Sequence, residues 1–212
     1  MGIFNPDLWF YRITEKIVDI LLLSVFWLAC SLPVVTLGPA TAALYHTVVR
    51  CLRGNQRNSW GVFFQTFRAN LKVGVLTTLV VIPVAVALVF IQGVLYQGTA
   101  VSQAGGVIYY AFLVFSLLPI GIGCYLFPVL SRFTFQVSGL LVNCCKLAIA
   151  NLPWTVLIGL IFYAAVVICS VLYVLIFVMP VIVAWLHSLI LERIFKPYID
   201  AQRAGEENGE TE

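Results

Sequence analysis

Residues 152–191 read "LPWTVLIGLIFYAAVVICSVLYVLIFVMPVIVAWLHSLIL". This stretch of forty residues contains no Asp, Glu, Lys or Arg. A helix rises about 1.5 Å per residue, so a single helix of this length would extend about 60 Å. The hydrocarbon core of a bilayer is only about 30 Å thick. We therefore predict that the stretch folds back into two membrane-spanning helices, with the turn near Phe177–Pro180.

The composition of the whole chain agrees with this interpretation. Its 212 residues are 62% hydrophobic and only 10% charged, with a mean hydropathy of +1.03. Soluble domains carry about 25% charged residues, so we predict an integral membrane protein. Asp7 and Glu15 stand where a signal peptide would be basic, and we expect the first apolar stretch to remain in the mature chain.

Three further apolar stretches precede the forty-residue stretch. Hydrocarbon offers the backbone no hydrogen-bond partner, so every span should be a helix and the fold all-α. The five predicted transmembrane helices cover residues 17–37, 73–96, 107–130, 152–175 and 178–194. They form a single transmembrane domain over residues 1–196. The acidic tail, residues 197–212, is expected to be disordered.

The lysines and arginines between the spans predict an orientation. Five follow the first span, none the second, two the third, none the fourth and three the fifth. Basic loops stay in the cytoplasm, so the first and third loops and the C-terminus are predicted to be cytoplasmic. Five spans then place the N-terminus outside, although Arg12 and Lys16 lie there. We expect a multi-pass protein of the bacterial plasma membrane.

Two amphipathic helices are predicted in the first cytoplasmic loop, over residues 39–53 and 59–72. Pro39 suits the first position of a helix, where its missing N–H costs nothing. Basic side chains lie off the apolar stripe of each helix, so the helices either lie in the membrane interface or pack on the bundle. The candidate contacts to lipid headgroups or to a partner are His46, Arg50, Arg53, Arg68 and Lys72.

Two segments resemble each other at a separation of 81 residues. The shift superimposes Asn70 on Asn151 and Leu71 on Leu152, each just before an apolar stretch. We interpret Asn70 and Asn151 as polar positions where the chain enters the membrane, and each is a candidate helix cap. Either the chain contains a parallel internal duplication, or two such positions look alike because both obey the same rules of insertion.

The sequence offers little for catalysis. No carboxylate occurs between residues 20 and 191, no phosphate-binding glycine loop is present, and the six cysteines lack metal-ligand spacing. We therefore expect no enzyme activity, cofactor, metal or nucleic-acid partner. His46 and His187 leave open a lipid-binding protein or membrane enzyme, and the hydroxyls and Gln92 leave open a stand-alone transporter or channel for small solutes.

Several motifs together resemble one family of bacterial membrane proteins. They are "MGIFN" (1–5), "SLPVVTLGPATAALY" (31–45), "FFQTFRANLK" (63–72), "RF" (132–133) and "ANLP" (150–153). The chain resembles the YesL-like family of integral membrane proteins, whose function is unknown.

The resemblance covers essentially the whole chain up to about residue 196. Genes of this family often lie beside ABC-type carbohydrate importers and glycan-degrading enzymes in Gram-positive bacteria. The resemblance therefore implies an accessory component of oligosaccharide uptake, with membrane lipids and transporter subunits as partners. It implies no reaction and assigns no functional residues.

Overall fold

The computed structural model describes residues 6–54, 56, 58–100, 102–133 and 135–209, with side chains at 16 and from 18 to 200 within these ranges. The "MGIFN" motif, Arg57 and residues 210–212 lie outside the described part. Every described element is a helix. The α-helices are α1 (Pro6–Ser31), α2 (Leu37–Thr47), α3 (Ser59–Ala69), α4 (Leu71–Thr99), α5 (Gln103–Arg132), α6 (Val137–Ala150), α7 (Leu152–Val171) and α8 (Met179–Gly209).

Three of these helices are long and apolar enough to cross a membrane, namely α4, α5 and α7. Helix α4 buries only Gly74, Thr77 and Thr78 of its 29 residues. Its exposed surface is rich in valine and leucine, and such a surface is stable only against lipid or protein. The predicted all-helical fold is confirmed for the described residues, and three of its helices have the length and composition of membrane spans.

The other two predicted spans have different helix bounds. Helix α1 ends at Ser31 rather than continuing to residue 37, and only Val18–Ser31 is its apolar part. The helix ends there because Pro33 restricts the residue before it to extended backbone. The apolar part of α8 leads without a break into a charged segment.

The forty-residue apolar stretch is broken into two helices. Helix α7 ends at Val171, a short 3-10 helix follows over Tyr173–Phe177, and α8 begins at Met179. Pro180 lies in the first turn of α8, where a proline leaves no intrahelical hydrogen bond unmade.

The tail, residues 197–212, begins within the last helix, and its final three residues lie outside the described part. Helix α8 continues through the acidic residues to Gly209. Ala, Gln, Arg and Glu, which have high helix propensity, make up about half of residues 197–209, so this segment can continue the helix beyond the apolar part of α8.

Helix α2 lies in the centre of the bundle. It contacts α1, α3, α4, α5 and α8. Ala42, Ala43, Leu44 and Tyr45 are consecutive and all are buried, so the helix is enclosed on every side. An interfacial helix would expose one face, so of the two positions left open by the sequence this helix occupies the packed one. Its small side chains allow five neighbours to approach.

Helix α2 crosses α4 at a close contact between backbones. A side chain on Gly74 would place its Cβ 2.8 Å from Pro39 Cδ. The Gly38 N–H donates to Thr78 Oγ1 over 3.0 Å, which anchors the start of α2 to the first turns of α4.

Helix α5 crosses α7 in a similar way, about 81 residues further along the chain. A side chain on Gly121 would collide with Thr155, and one on Gly159 would collide with the Leu117 carbonyl. The two crossings use corresponding turns of α4 and α7. This correspondence supports the internal duplication of α2–α3–α4 as α5–α6–α7.

The α5–α7 contacts also determine which helix ends lie together. The C-terminal half of α5 packs on the first turns of α7, so the two helices are antiparallel. The α4–α5 connection and the 3-10 helix Tyr173–Phe177 therefore lie at the same end of the bundle, and neither carries a Lys, Arg, Asp or Glu. We call this the uncharged end. The opposite end carries Arg53, Arg132 and Glu192 and is called the charged end.

Candidate functional site

Glu192 is the centre of a polar cluster at the charged end. Its Oε1 atom accepts hydrogen bonds from Tyr45 Oη at 3.1 Å and from Arg132 Nε at 3.1 Å. Arg132 Nη2 lies 2.7 Å from the same oxygen, which makes an ion pair. The Arg132 and Glu192 side chains are only 19% and 20% exposed. One carboxylate therefore joins α2, α5 and α8.

Arg53 makes a second connection between the same region and α8. Its Nη1 atom donates to the Ser188 carbonyl at 2.7 Å and to Ser188 Oγ at 3.3 Å. Ser188 lies one turn before Glu192 on α8. Arg53 ends a π-helical segment, Val48–Arg53, that follows α2. Such wide turns are uncommon, and they change the direction in which the following side chains point.

Burial and neighbouring charges alter the protonation of two α2 residues. Burial raises the pKa of the Tyr45 phenol, and the Glu192 carboxylate raises it further. Burial lowers the pKa of His46 to about 4, and the positive charges of Arg50 and Arg132 lower it further. Tyr45 is thus a proton donor to Glu192, and His46 is neutral at pH 7. His46 Nδ1 is buried without a hydrogen-bond partner among the described residues.

The other three basic candidate residues are exposed. Arg50 lies in the π-helical segment, Arg68 in the last turn of α3 and Lys72 at the start of α4. Within the described part of the chain the only ion pair is Arg132–Glu192, so these three cations have no carboxylate partner there. The structure therefore separates the five candidates into partly buried His46, hydrogen-bonded Arg53 and three free cations.

Asn70 and Asn151 occupy equivalent helix junctions. Asn70 joins α3 to α4, and its Nδ2 donates to the Thr66 carbonyl at 3.0 Å. Asn151 joins α6 to α7, and its Nδ2 donates to the Leu147 carbonyl, also at 3.0 Å. In each case the side chain donates to a carbonyl that also accepts the backbone N–H of the same asparagine, and it does not cap the following helix as the sequence predicted. These contacts explain both asparagines as structural residues.

His187 is used within the bundle. It is 6% exposed, and its Nε2 lies 3.3 Å from the Ile158 carbonyl of α7. No three His, Cys, Asp or Glu side chains within the described ranges lie close enough to hold a metal ion.

The polar cluster around Glu192 is suited to holding α2, α5 and α8 together, with exposed cations at the same end of the bundle.

Sequence reasoning named Arg53 but missed Tyr45, Arg132, Ser188 and Glu192 as members of this cluster. One signal was available, because Glu192 is the first carboxylate after the long segment without any. An isolated acid at the end of an apolar helix needs a cationic partner. The sequence did not identify Arg132 as the partner of Glu192, because the two residues lie 60 positions apart in the chain.

Comparison with known proteins adds one finding. Residues 20–91 match the family described as "Protein of unknown function, DUF624". The match includes α2, α3 and most of α4, with Tyr45 and Arg53 of the polar cluster. No curated protein and no solved structure matches the chain.

Proposed function

We propose that this protein is an accessory membrane subunit of an ABC-type oligosaccharide uptake system and that it docks to the importer through its charged end. Helices α4, α5, α7 and α8 would cross the bacterial plasma membrane. Helices α1 and α2 would form an antiparallel hairpin that starts and ends near the charged end, because Asp19 accepts a hydrogen bond from Ser59 and Trp27 donates one to Thr41. The N-terminus would then lie on the same side as the charged end, and not outside as five spans predict. The charged end and the C-terminus would then face the cytoplasm, as the basic loops predict. The resemblance to the YesL-like family supports this role.

The observation that carries the proposal is the surplus of cations at the charged end. Arg50, Arg68 and Lys72 are exposed and have no acidic partner in the described part of the chain. Glu192, the carboxylate of the polar cluster, is already used by Arg132 and Tyr45. Unpaired surface cations favour an acidic partner surface and accelerate its association.

The interior supports a docking role over a stand-alone transporter. A solute path needs polar groups that face a common channel. The Ser24, Thr77, Ser116 and Ser170 hydroxyls instead donate to carbonyls three or four residues earlier in their own helices. Their O–H donors are used within their own helices, so these hydroxyls offer a solute acceptor lone pairs alone.

The proposal is tested by affinity purification of the tagged protein from mild detergent, with mass spectrometry of co-purifying membrane proteins. We expect importer subunits with the wild-type chain and several-fold fewer with an Arg50→Gln, Arg68→Gln double variant. The matched control is Arg50→Lys, Arg68→Lys, which keeps both charges and should retain the subunits.

Two results would contradict the proposal. One is an equal yield of importer subunits from the wild-type and glutamine variants, or no importer subunits from either. The other is normal growth of a deletion strain on oligosaccharides as sole carbon source.

A further inference from the structure

A groove lies between the end of α5, helix α6 and helix α8. It has a volume of about 330 Å³. Its floor is apolar and includes Val129, Phe133, Leu147, Ala150 and Phe195. The rings of Phe133 and Phe195 pack edge to face with centroids 6.1 Å apart, so the end of α5 is in contact with α8 beneath the groove. The volume lies within the range of small-molecule sites, about 300–1,000 Å³.

The edge of the groove is polar and carries one cation. Asn143 and Lys146 border it from α6, and Tyr198 borders it from α8. Lys146 is exposed and forms no ion pair within the described ranges. Of the two carboxylates on α8 with described side chains, Glu192 is bound by Arg132, and Asp200 forms no ion pair with a described cation. The groove thus suits a molecule with an apolar body and an anionic head.

The position of the groove identifies the class of that molecule. Phe133 directly follows α5, and Ala150 directly precedes Asn151 and α7. Helices α5 and α7 both have the length and composition of membrane spans. The groove therefore lies between the end of one such helix and the start of the next. With the membrane placement of the proposed function, on which this inference rests, that position is the depth of phospholipid headgroups. Lysines near helix ends at this depth attract anionic lipids.

We propose that this groove, which we call the α5–α6–α8 groove, binds one anionic phospholipid. An acyl chain lies on the phenylalanine floor, and the phosphate lies against the Lys146 ammonium, with the Asn143 amide and the Tyr198 hydroxyl as further donors. The site is separate from the Arg50, Arg68 and Lys72 surface assigned to a protein partner.

The test is native mass spectrometry of the purified full chain with dioleoyl phosphatidylglycerol and, separately, dioleoyl phosphatidylcholine. We expect one phosphatidylglycerol to be retained more tightly than phosphatidylcholine. Lys146→Gln should weaken phosphatidylglycerol binding about fivefold, the effect of one lysine near an anionic surface. It should weaken phosphatidylcholine binding less, because the choline of that lipid already offsets the charge of its phosphate. The control is Lys72→Gln, which removes the same charge outside the groove.

A second variant tests the apolar floor. Ala150 is exposed at the groove, so Ala150→Trp fills the cavity without disturbing the core. It should lower retention of both lipids, with an unchanged thermal midpoint as evidence of folding. Equal losses from Lys72→Gln and Lys146→Gln would overturn the proposal. Full lipid retention by the tryptophan variant would also overturn the proposal. The same holds if the wild-type chain retains a co-purified protein and no lipid.

Discussion

At the scale of single residues, one carboxylate organises the charged end. Glu192 holds Arg132 by an ion pair of 2.7 Å and accepts the Tyr45 hydroxyl. Removing one partner of a mostly buried pair leaves the other charge without compensation, which costs more than the pair itself contributes. The neighbouring His46 is stable as the neutral imidazole, because burial and two arginines disfavour its protonated form.

Replacing Glu192 by Gln should destabilise the protein. The amide still accepts one hydrogen bond, but Arg132 loses its counter-charge while four-fifths buried. We expect a loss of about 1–3 kcal/mol in the free energy of unfolding. Thermal unfolding in detergent, followed by circular dichroism, measures it. The control is Arg193→Gln, an exposed neighbour without an ion pair in the described chain, whose midpoint should not change.

His46 should make the stability depend on pH. Its pKa is about 4 in the folded chain and 6.5 in the reference state, so the unfolded chain binds more protons between these values. Stability from the neutral imidazole is therefore complete above pH 6.5 and is lost as the pH falls towards 4. The melting temperature of a His46→Gln variant should change less between pH 4 and 7 than that of the wild-type protein. Parallel curves for the two proteins would contradict this.

At the scale of elements, two close crossings assemble the bundle. Helix α2 meets α4 at Pro39 and Gly74, and α5 meets α7 at Gly121 and Thr155. Apolar side chains give helices in lipid no driving force to associate, so close backbone packing at small residues must supply the attraction. The crossing at Gly74 keeps α2 within reach of five neighbours. Tyr45 is thereby held inside the protein, and His46 is partly buried beside it.

Replacing Gly74 by Ala should disturb the α2–α4 crossing. The new Cβ would lie 2.8 Å from Pro39 Cδ and 2.9 Å from Pro39 N, and neither the ring nor the backbone can move away. We expect a destabilisation of about 1–3 kcal/mol, measured by thermal unfolding. Gly93→Ala in the same helix is the control, because nothing lies within 4 Å of that position. It should be neutral or slightly stabilising.

At the scale of the whole molecule, charge divides the two ends of the bundle. The α4–α5 connection and the 3-10 helix after α7 carry no charged residue, while the other end carries the polar cluster and the free arginines. This division agrees with the rule that basic loops of membrane proteins stay on the cytoplasmic side. In the proposed orientation, the α5–α6–α8 groove would lie in the inner leaflet and the docking surface in the cytoplasm.

The orientation predicts where a membrane-impermeant maleimide reacts. In a chain whose six native cysteines are replaced by alanine, Ser102→Cys should be labelled in intact cells. Gln136→Cys should be labelled only after the cells are permeabilised. Both positions are exposed, and they lie at the uncharged and charged ends respectively. The reverse pattern, or labelling of both in intact cells, would exclude the orientation.

The sequence by itself determined the helical membrane class, the break within residues 152–191 and the basic character of one set of connections. These properties depend on the length of apolar stretches and on local charge, which are readable without knowing any partner. Only the tertiary structure decided that α2 is central rather than interfacial, and that Tyr45 meets Glu192 across 147 positions of sequence. The reason is that pairing between helices depends on where their small residues allow the backbones to approach, and the hydrophobic pattern does not contain that information.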